Sequence, residues 1–344
     1  MSFKINIVFS IQENPTGGGN QFLKALRKGL RLLNVYAEQP DKADIFLFNS
    51  YQFIEQSFRL KLKFKDALFV HRIDGPIRLY NSMRDFRDTV TNTANHFLAD
   101  ATIFQSVWSQ KENYRFGLTP TAYEAVIPNA SDATVYNTIN KNVFSANRRV
   151  KIVTTSWSSN WKKGFKIYQW LDDNLNFTKY EMTFIGNTPV SFRNIRHIAP
   201  LNGFDLANEL KRHDIYITAS QKDPCSNSLL EALNCGLPVI ALNDGGHPEI
   251  VNCGGLLFAR QEEIPAMLEH IIADYVGYQQ RIRVHSLDEV VERYYSFLSA
   301  IWEAKNTGHY RSKSFRYLSQ ARLFGTLKWW PIRDRIIARI NRVH

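Results

Sequence analysis

Eleven short runs of β-branched and aromatic residues recur along the chain, each followed by a longer helical stretch. In the first half they read "INIVFS", "DIFLFNS", "ALFVHRID", "ATIFQS" and "EAVIPN". In the second they read "VKIVTTSW", "MTFIGN", "NIRHIAP", "DIYITAS", "PVIAL" and "GGLLFA". A strand that is apolar at nearly every position is covered on both faces, the condition of a parallel sheet between helical layers. Two such series predict two α/β domains, and 344 residues is long for a single core. The polar, aperiodic stretch 129–149, "NASDATVYNTINKNVFSANRR", separates the series and reads as a linker. Open α/β sheets bind ligands at the carboxyl ends of their strands, so chemistry is expected in the loops after these runs.

One such loop stands out. In "DPCSNSLLEALNCGLPVIALNDGG", residues 223–246, two acids lie eight positions apart, Asp223 and Glu231. "DIYITAS" is a strand and "QKDPC" its loop. Ser226 or Asn227 can cap the following helix, and Gly236 can end it in the C′ role. Pro238 opens the next strand, and "NDGGHPE" is again a carboxyl-end loop. Helix N-terminal amides at such a place suit a phosphate or pyrophosphate. Asp223 just before the helix and Glu231 one turn inside it can accept paired hydrogen bonds from sugar or ribose hydroxyls. The bland alternative is an acid that only complements the helix dipole and a Glu that is only solvated.

Composition narrows the classes. The three cysteines, Cys225, Cys235 and Cys253, are scattered and odd in number, which suits a reducing cytoplasm better than a disulfide framework. No uncharged apolar run approaches the roughly 18 residues of a membrane span, and the start "MSFKINIVFS" is too short for a signal core. The net charge is +11, and about +8 of it falls in 309–344, where nine Lys or Arg face one acid, Asp334. The basicity therefore belongs to a segment, not to the fold. Nucleic-acid binding is disfavoured, since no recognition motif accompanies that charge. A dinucleotide-dependent oxidoreductase is disfavoured too, because "GGGNQF" lacks the G-x-G-x-x-G spacing.

The order strand, D-P-x-S-N-S-L-L-E-A-L, G-x-P-V and G-G-x-P-E resembles the nucleotide-sugar signature of retaining family-4 glycosyltransferases. Their E-x7-E motif appears here as D-x7-E. The resemblance spans residues 4 to 305. It implies an α/β fold of the GT-B type, two Rossmann-like domains with parallel sheets facing each other across a cleft. The corresponding division is an acceptor domain over 1–140, a nucleotide-sugar domain over 150–285, a helix crossing back over 286–305 and a basic aromatic tail over 306–344. It assigns Glu231 to ribose hydroxyls, Asp223 to the donor sugar, and the backbone of Asn227, Ser228 and Leu229 to the phosphates or sugar. Glu249 fills the P-E position, and the Ala199–Leu201 backbone is placed near the base. "GGGNQF" matches the glycine-rich loop, making Gly18 and Gly19 donor-binding, although a plain tight turn is an equal reading. "FVHRIDGP" resembles the loop with a histidine near the reacting centre, here His71, which could equally be a structural histidine. "SWSSNWKKGF" corresponds to the R-x4-K-G phosphate segment. Lys163 keeps its Lys, but Ser158 stands where Arg is usual, leaving Lys162 or helix amides to compensate.

The resemblance implies front-face transfer with retention, the donor phosphate helping to deprotonate the acceptor. Lys163 and the helix amides would hold the departing diphosphate without a metal, and no D-x-D or His/Asp cluster offers metal spacing. No cofactor is expected beyond the nucleotide sugar as co-substrate. Expected partners are that donor and a glycan or lipid-linked acceptor of cell-surface polysaccharide synthesis. A catalytically inactive nucleotide-sugar binder is the alternative that the Asp223 and Ser158 departures leave open.

The tail "TLKWWPIRDRIIARINRVH" places Pro331 at a first helical turn. Ile332, Ile336, Ile340 and Val343 follow at helical spacing, with Arg335, Arg339 and Arg342 largely on another face and Trp329–Trp330 ahead of them. Such a helix suits an anionic membrane surface. The expected location is thus cytoplasmic, peripheral on the inner face of the cytoplasmic membrane. The alternative is a helix packed back onto the first domain.

Overall fold

The computed structural model describes residues 3–12 and 18–340, apart from the side chains of Pro331 and of 334–340. Each of the eleven apolar runs forms a strand. In the first half these are β1 (Ile5–Val8), β2 (Ile45–Asn49), β3 (Leu68–Ile73), β4 (Ala101–Phe104) and β5 (Tyr123–Val126). In the second they are β6 (Val150–Ser156), β7 (Tyr180–Gly186), β8 (Arg196–Ile198), β9 (Ile215–Thr218), β10 (Val239–Leu242) and β11 (Gly255–Phe258). The first sheet has the order β1-β2-β3-β4-β5 and the second β11-β10-β9-β6-β7-β8. Every strand pair in both is parallel.

The second sheet explains its own apolar runs. Ile152, Phe184, Ile217 and Ile240 pack into one core, while their neighbours Val153, Ile185, Tyr216 and Val239 pack into another. Successive side chains point to opposite faces, so a sheet buried on both needs apolar residues at both phases.

The chain forms two compact units, one of 1–10, 26–128 and 291–344 and the other of 11–25 and 129–290. The polar stretch 129–149 is therefore not a free linker. It lies along the second unit, where Asn129 Nδ2 donates to Asn227 Oδ1 (3.0 Å), Lys141 Nζ to His213 O (2.9 Å) and Arg148 to Asp214. Val135 and Tyr136 pack against one core of that unit and Phe144 against the other, so the stretch is attached by polar bonds and scattered apolar contacts that leave no period. The helix Leu287–Asn306 joins the first unit from Val291 onward, with Arg293 donating to Val126 O (2.7 Å).

The tail departs most from its expected form. Pro331 does not begin a helix, because one helix runs continuously over Tyr317–Ile340. Leu323 is fully buried, and Phe315, Leu327 and Trp330 pack against the same first-unit core. Positions 323, 327 and 330 share one face, and that apolar face extends the helix upstream of the proline. Trp330 stands edge-on to Tyr51 at 6.0 Å, so only Trp329 of the tryptophan pair faces solvent. The side chains of Arg335, Ile336, Arg339 and Ile340, and residues Arg342 and Val343 entirely, lie outside the described residues.

Candidate donor site

In the second sheet the chain moves outward from β6 through β7 to β8, then returns to the other side of β6 as β9. The loops after β6 and β9 consequently leave a crevice at the strands' carboxyl ends, where such sheets bind ligands. Lys163 lies in the first loop and Asp223 in the second. Gly164, at φ 93°, lets the loops touch: a Cβ there would stand 2.4 Å from the Cβ of Ala219.

The two loops meet through charge. Lys163 Nζ donates to Asp223 Oδ2 at 3.0 Å and to Ser220 Oγ at 3.3 Å. Burial pushes the Asp223 carboxyl up, but Lys163, His247 and two hydrogen bonds outweigh it and hold the group below the usual carboxylate range. The glycine-pair loop after β10 clasps the same residue from behind. Gly246 N donates to Asp223 O (2.8 Å), and Gly245 sits at φ 63° where a Cβ would come within 2.4 Å of that oxygen.

The helix Asn227–Asn234 starts directly after this loop. Ser226 occupies the N-cap position but makes no capping bond; its Oγ pairs with Ser228 Oγ at 3.1 Å. The first amides of a helix have no intrahelical acceptor, so those of Asn227, Ser228 and Leu229 are available to an anion. Gly18 begins the helix Gly18–Leu32 against Asn227, whose Nδ2 lies 2.2 Å from where a Gly18 Cβ would be. A side chain at that position would require the Asn227 amide to swing aside. A Cβ on Gly19 would meet nothing within 4 Å. One turn into the helix, Glu231 is mostly buried, and burial pushes its carboxyl up to about 8 against one hydrogen bond from Tyr136.

Gly18, Lys163, Asp223 and the helix bearing Asn227 and Glu231 thus all stand in the second unit, with Lys163 against Asp223 and Gly18 against Asn227. Lys162 Nζ donates to Gln221 Oε1 at 3.3 Å, in the loop that carries Asp223. Ser158 Oγ accepts from Asn160 N (3.2 Å) within its own loop. Glu249 is exposed at the start of the short helix His247–Val251.

His71 is corrected. It lies inside β3, in the middle of the first sheet, fully buried. Nε2 donates to Ser50 O (2.9 Å), and Nδ1 is 3.0 Å from Asn95 Oδ1. Burial pushes its pKa down to about 4, so it is a neutral structural histidine. The polar group at the end of that strand is Asp74. Its carboxylate accepts from buried Arg72 (3.1 Å) and from Gln105, and its carbonyl accepts from Asn113 Nδ2 (2.8 Å).

The reading from sequence also missed Tyr136 and His247. Tyr136 is an aromatic in a polar stretch, a weak but usable signal. His247 is fully buried beside Asp223; its Nδ1 donates to Leu242 O (2.9 Å), while Nε2 has no hydrogen-bond partner among the described residues.

Two Rossmann-like units of this kind define the GT-B fold, and solved structures share it. Sucrose-phosphate synthase from Thermosynechococcus elongatus is 12% identical, with a TM-score of 0.70 over 88% of this chain and 100% of that one. HepE from Anabaena, solved in complex with UDP and glucose, is 15% identical, with a TM-score of 0.67 over 87% and 100%. Residues 175–274 match the family model for glycosyl transferases group 1. The gpi3 subunit of phosphatidylinositol N-acetylglucosaminyltransferase from Schizosaccharomyces pombe is 34% identical over 89 residues. That match spans 25% of this chain and only 19% of the relative.

Proposed function

We propose that the protein transfers a sugar from a nucleotide-sugar donor to a glycan or lipid-linked glycan acceptor, with retention of configuration and without a metal. The observation that carries this reading is the Lys163–Asp223 pair at the switch point of the second sheet, beside an uncapped helix N-terminus with Glu231 one turn inside. A diphosphate is served by the ammonium and the amides, and hydroxyls are served by the two carboxylates. Asp223 and Glu231 then orient the donor, which is positioning and not acid–base work. A thermal-shift panel of UDP-, GDP-, TDP- and ADP-sugars tests it. A donor at 100 times its dissociation constant adds roughly 2.7 kcal/mol of stability, and no shift with any of them would refute the reading. Hydrolysis or transfer of the bound donor separates an enzyme from an inactive binder.

The ion pair makes a second expectation. Asp223→Asn lowers transfer more than it lowers nucleoside diphosphate affinity, because the proposed Asp223 contacts are to the sugar. Lys163→Gln does the reverse, losing roughly 10-fold or more in diphosphate affinity for a charge-assisted bond of about 1.5–3 kcal/mol. Equal losses in both quantities for both variants would place the pair outside the donor's path.

The acceptor reading is tied to a membrane surface on the cytoplasmic side. It is supported by the outer face of the helix Tyr317–Ile340, where Tyr317, Leu318, Phe324, Trp329 and Ile332 are all exposed. They lie opposite the buried Leu323, with Lys328 among them and Arg316 just ahead. Among the described residues no helix is long and apolar enough to cross a membrane. Liposomes containing anionic lipid should bind the protein. Replacing Leu318, Phe324 and Trp329 with Ala should weaken that binding at every salt concentration, by up to ~1.5 kcal/mol or more per inserted side chain. Arg316→Gln with Lys328→Gln should weaken it by about 1 kcal/mol per charge, and chiefly at low salt. Liposome binding that ignores the three apolar replacements would dismiss this surface.

A further inference from the structure

At the amino-terminal end of the second sheet, opposite the strand ends that carry Lys163 and Asp223, lies a cavity of about 230 Å³. Its wall is formed by the starts of β6, β7 and β8 and by the end of the helix Gly203–Lys211. Four cations line it: Arg149, Lys151, Arg196 and Arg212. Two of them are spoken for, since Arg149 pairs with Glu181 (2.8 Å) and Arg212 with Glu209 (3.0 Å). Lys151 and Arg196 have no acidic partner among the described residues. The floor is neutral and locked. His213 Nδ1 donates to Glu209 O (2.8 Å), and its Nε2 accepts from Thr183 Oγ1 (3.0 Å). The wall therefore carries two positive charges in excess, drawn from different strands into one concavity.

We propose that this cavity is a second ligand site, separate from the donor site, which takes a small phosphate dianion such as inorganic phosphate or a phosphate monoester. Like charges held together in a concavity repel, and an anion of matching charge removes that cost while gaining charge-assisted hydrogen bonds. An arginine fork and a lysine point charge are the usual phosphate partners. The volume lies below the roughly 300–1,000 Å³ of sites for drug-sized ligands, which favours a phosphate group with little attached to it. The site does not depend on the transferase reading.

The test is calorimetric titration of the full chain with inorganic phosphate and with glycerol 3-phosphate, against sodium chloride at matched ionic strength. Lys163→Gln serves as the background, to silence phosphate binding at the donor site. That variant should keep a saturable phosphate site, and adding Lys151→Gln and Arg196→Gln should weaken it at least tenfold. Both side chains reach solvent, so the variant should melt like its parent in phosphate-free buffer. Should it melt lower, Arg196→Gln alone carries the comparison. Binding by inorganic phosphate alone narrows the ligand to the free ion, and binding by both admits monoesters; either supports the site. Loss of all phosphate binding in Lys163→Gln, or binding that survives the added substitutions, overturns it.

Discussion

Glu231→Ala should weaken nucleotide-sugar binding on the order of 100-fold while the fold persists. Two hydroxyl bonds to a carboxylate are worth about 3 kcal/mol together, and each 1.4 kcal/mol is tenfold in affinity. The pH dependence makes the assignment more specific. Burial pushes the Glu231 carboxyl up to about 8, so near neutrality the free protein holds a proton that the unfolded chain has lost. Stability contributed by this group therefore falls as pH rises from the unfolded value near 4.5 toward 8, and the full cost is present above 8. Hydroxyls that donate to the carboxylate need its ionised form. Donor affinity should accordingly climb with pH up to about 8 and level off above it, by at most tenfold per pH unit. A nucleotide sugar is the right probe, since its diphosphate has no ionisation in this window. Glu231→Gln should bind weakly and without the slope. A flat profile for the unaltered protein would remove Glu231 from the ribose.

Truncation after Asn306 should destabilise the first unit by several kcal/mol instead of merely detaching a tail. Asp100 is fully buried and pairs with buried Lys61 at 3.6 Å. Two of its hydrogen bonds come from beyond the cut: Tyr310 Oη donates at 2.8 Å and the Lys313 amide at 2.6 Å, both to Oδ1. Each such bond to a charged group is worth about 1.5–3 kcal/mol, and removing it strands a buried carboxylate. Loss of Leu323 from the core adds the roughly 2–5 kcal/mol typical of Leu→Ala. Against a domain stability of about 5–15 kcal/mol, little remains. Thermal melts should show an early transition for the truncated chain, with the second unit's transition retained. Leu323→Ala should give a smaller shift of the same transition. If the truncated chain melts like the full one, the tail's packing contributes nothing to the fold. For the same reason, membrane binding is better tested by outward substitutions than by deletion.

Much of this was legible before any coordinates. The strand runs declare themselves because a sheet buried on both faces requires apolar residues at consecutive positions. Lys163, Asp223 and Glu231 could be named because their loops and helix follow recognisable strands. The meeting of Lys163 with Asp223 could not be read, because it depends on β9 pairing with β6, and the two residues stand 60 positions apart in the chain. Tyr136 escaped for a similar reason. Its polar surroundings look like a linker, and only packing brings its hydroxyl to Glu231. His71 was misjudged because a histidine ending an apolar run reads the same whether it faces a ligand or, as here, Asn95 and Ser50 inside the sheet. Asp74, three residues on, is the carboxylate that Arg72 and Gln105 present.

The tail separates the two kinds of information most sharply. Local sequence determined that it is helical, basic and aromatic, since those are properties of composition and of i, i+4 spacing. Which face is inside was decided by tertiary structure alone. Leu323, Leu327 and Trp330 pack into the first unit's core, and Leu318 and Trp329 stay exposed. The same holds at the candidate donor site. Residue types and strand order along the chain determined that carboxylates, a lysine and helix amides stand at strand ends. Strand order across the sheet decided which of them share a crevice, because hydrogen-bonded neighbours in a parallel sheet are chosen by packing between distant segments and leave no local periodicity to read.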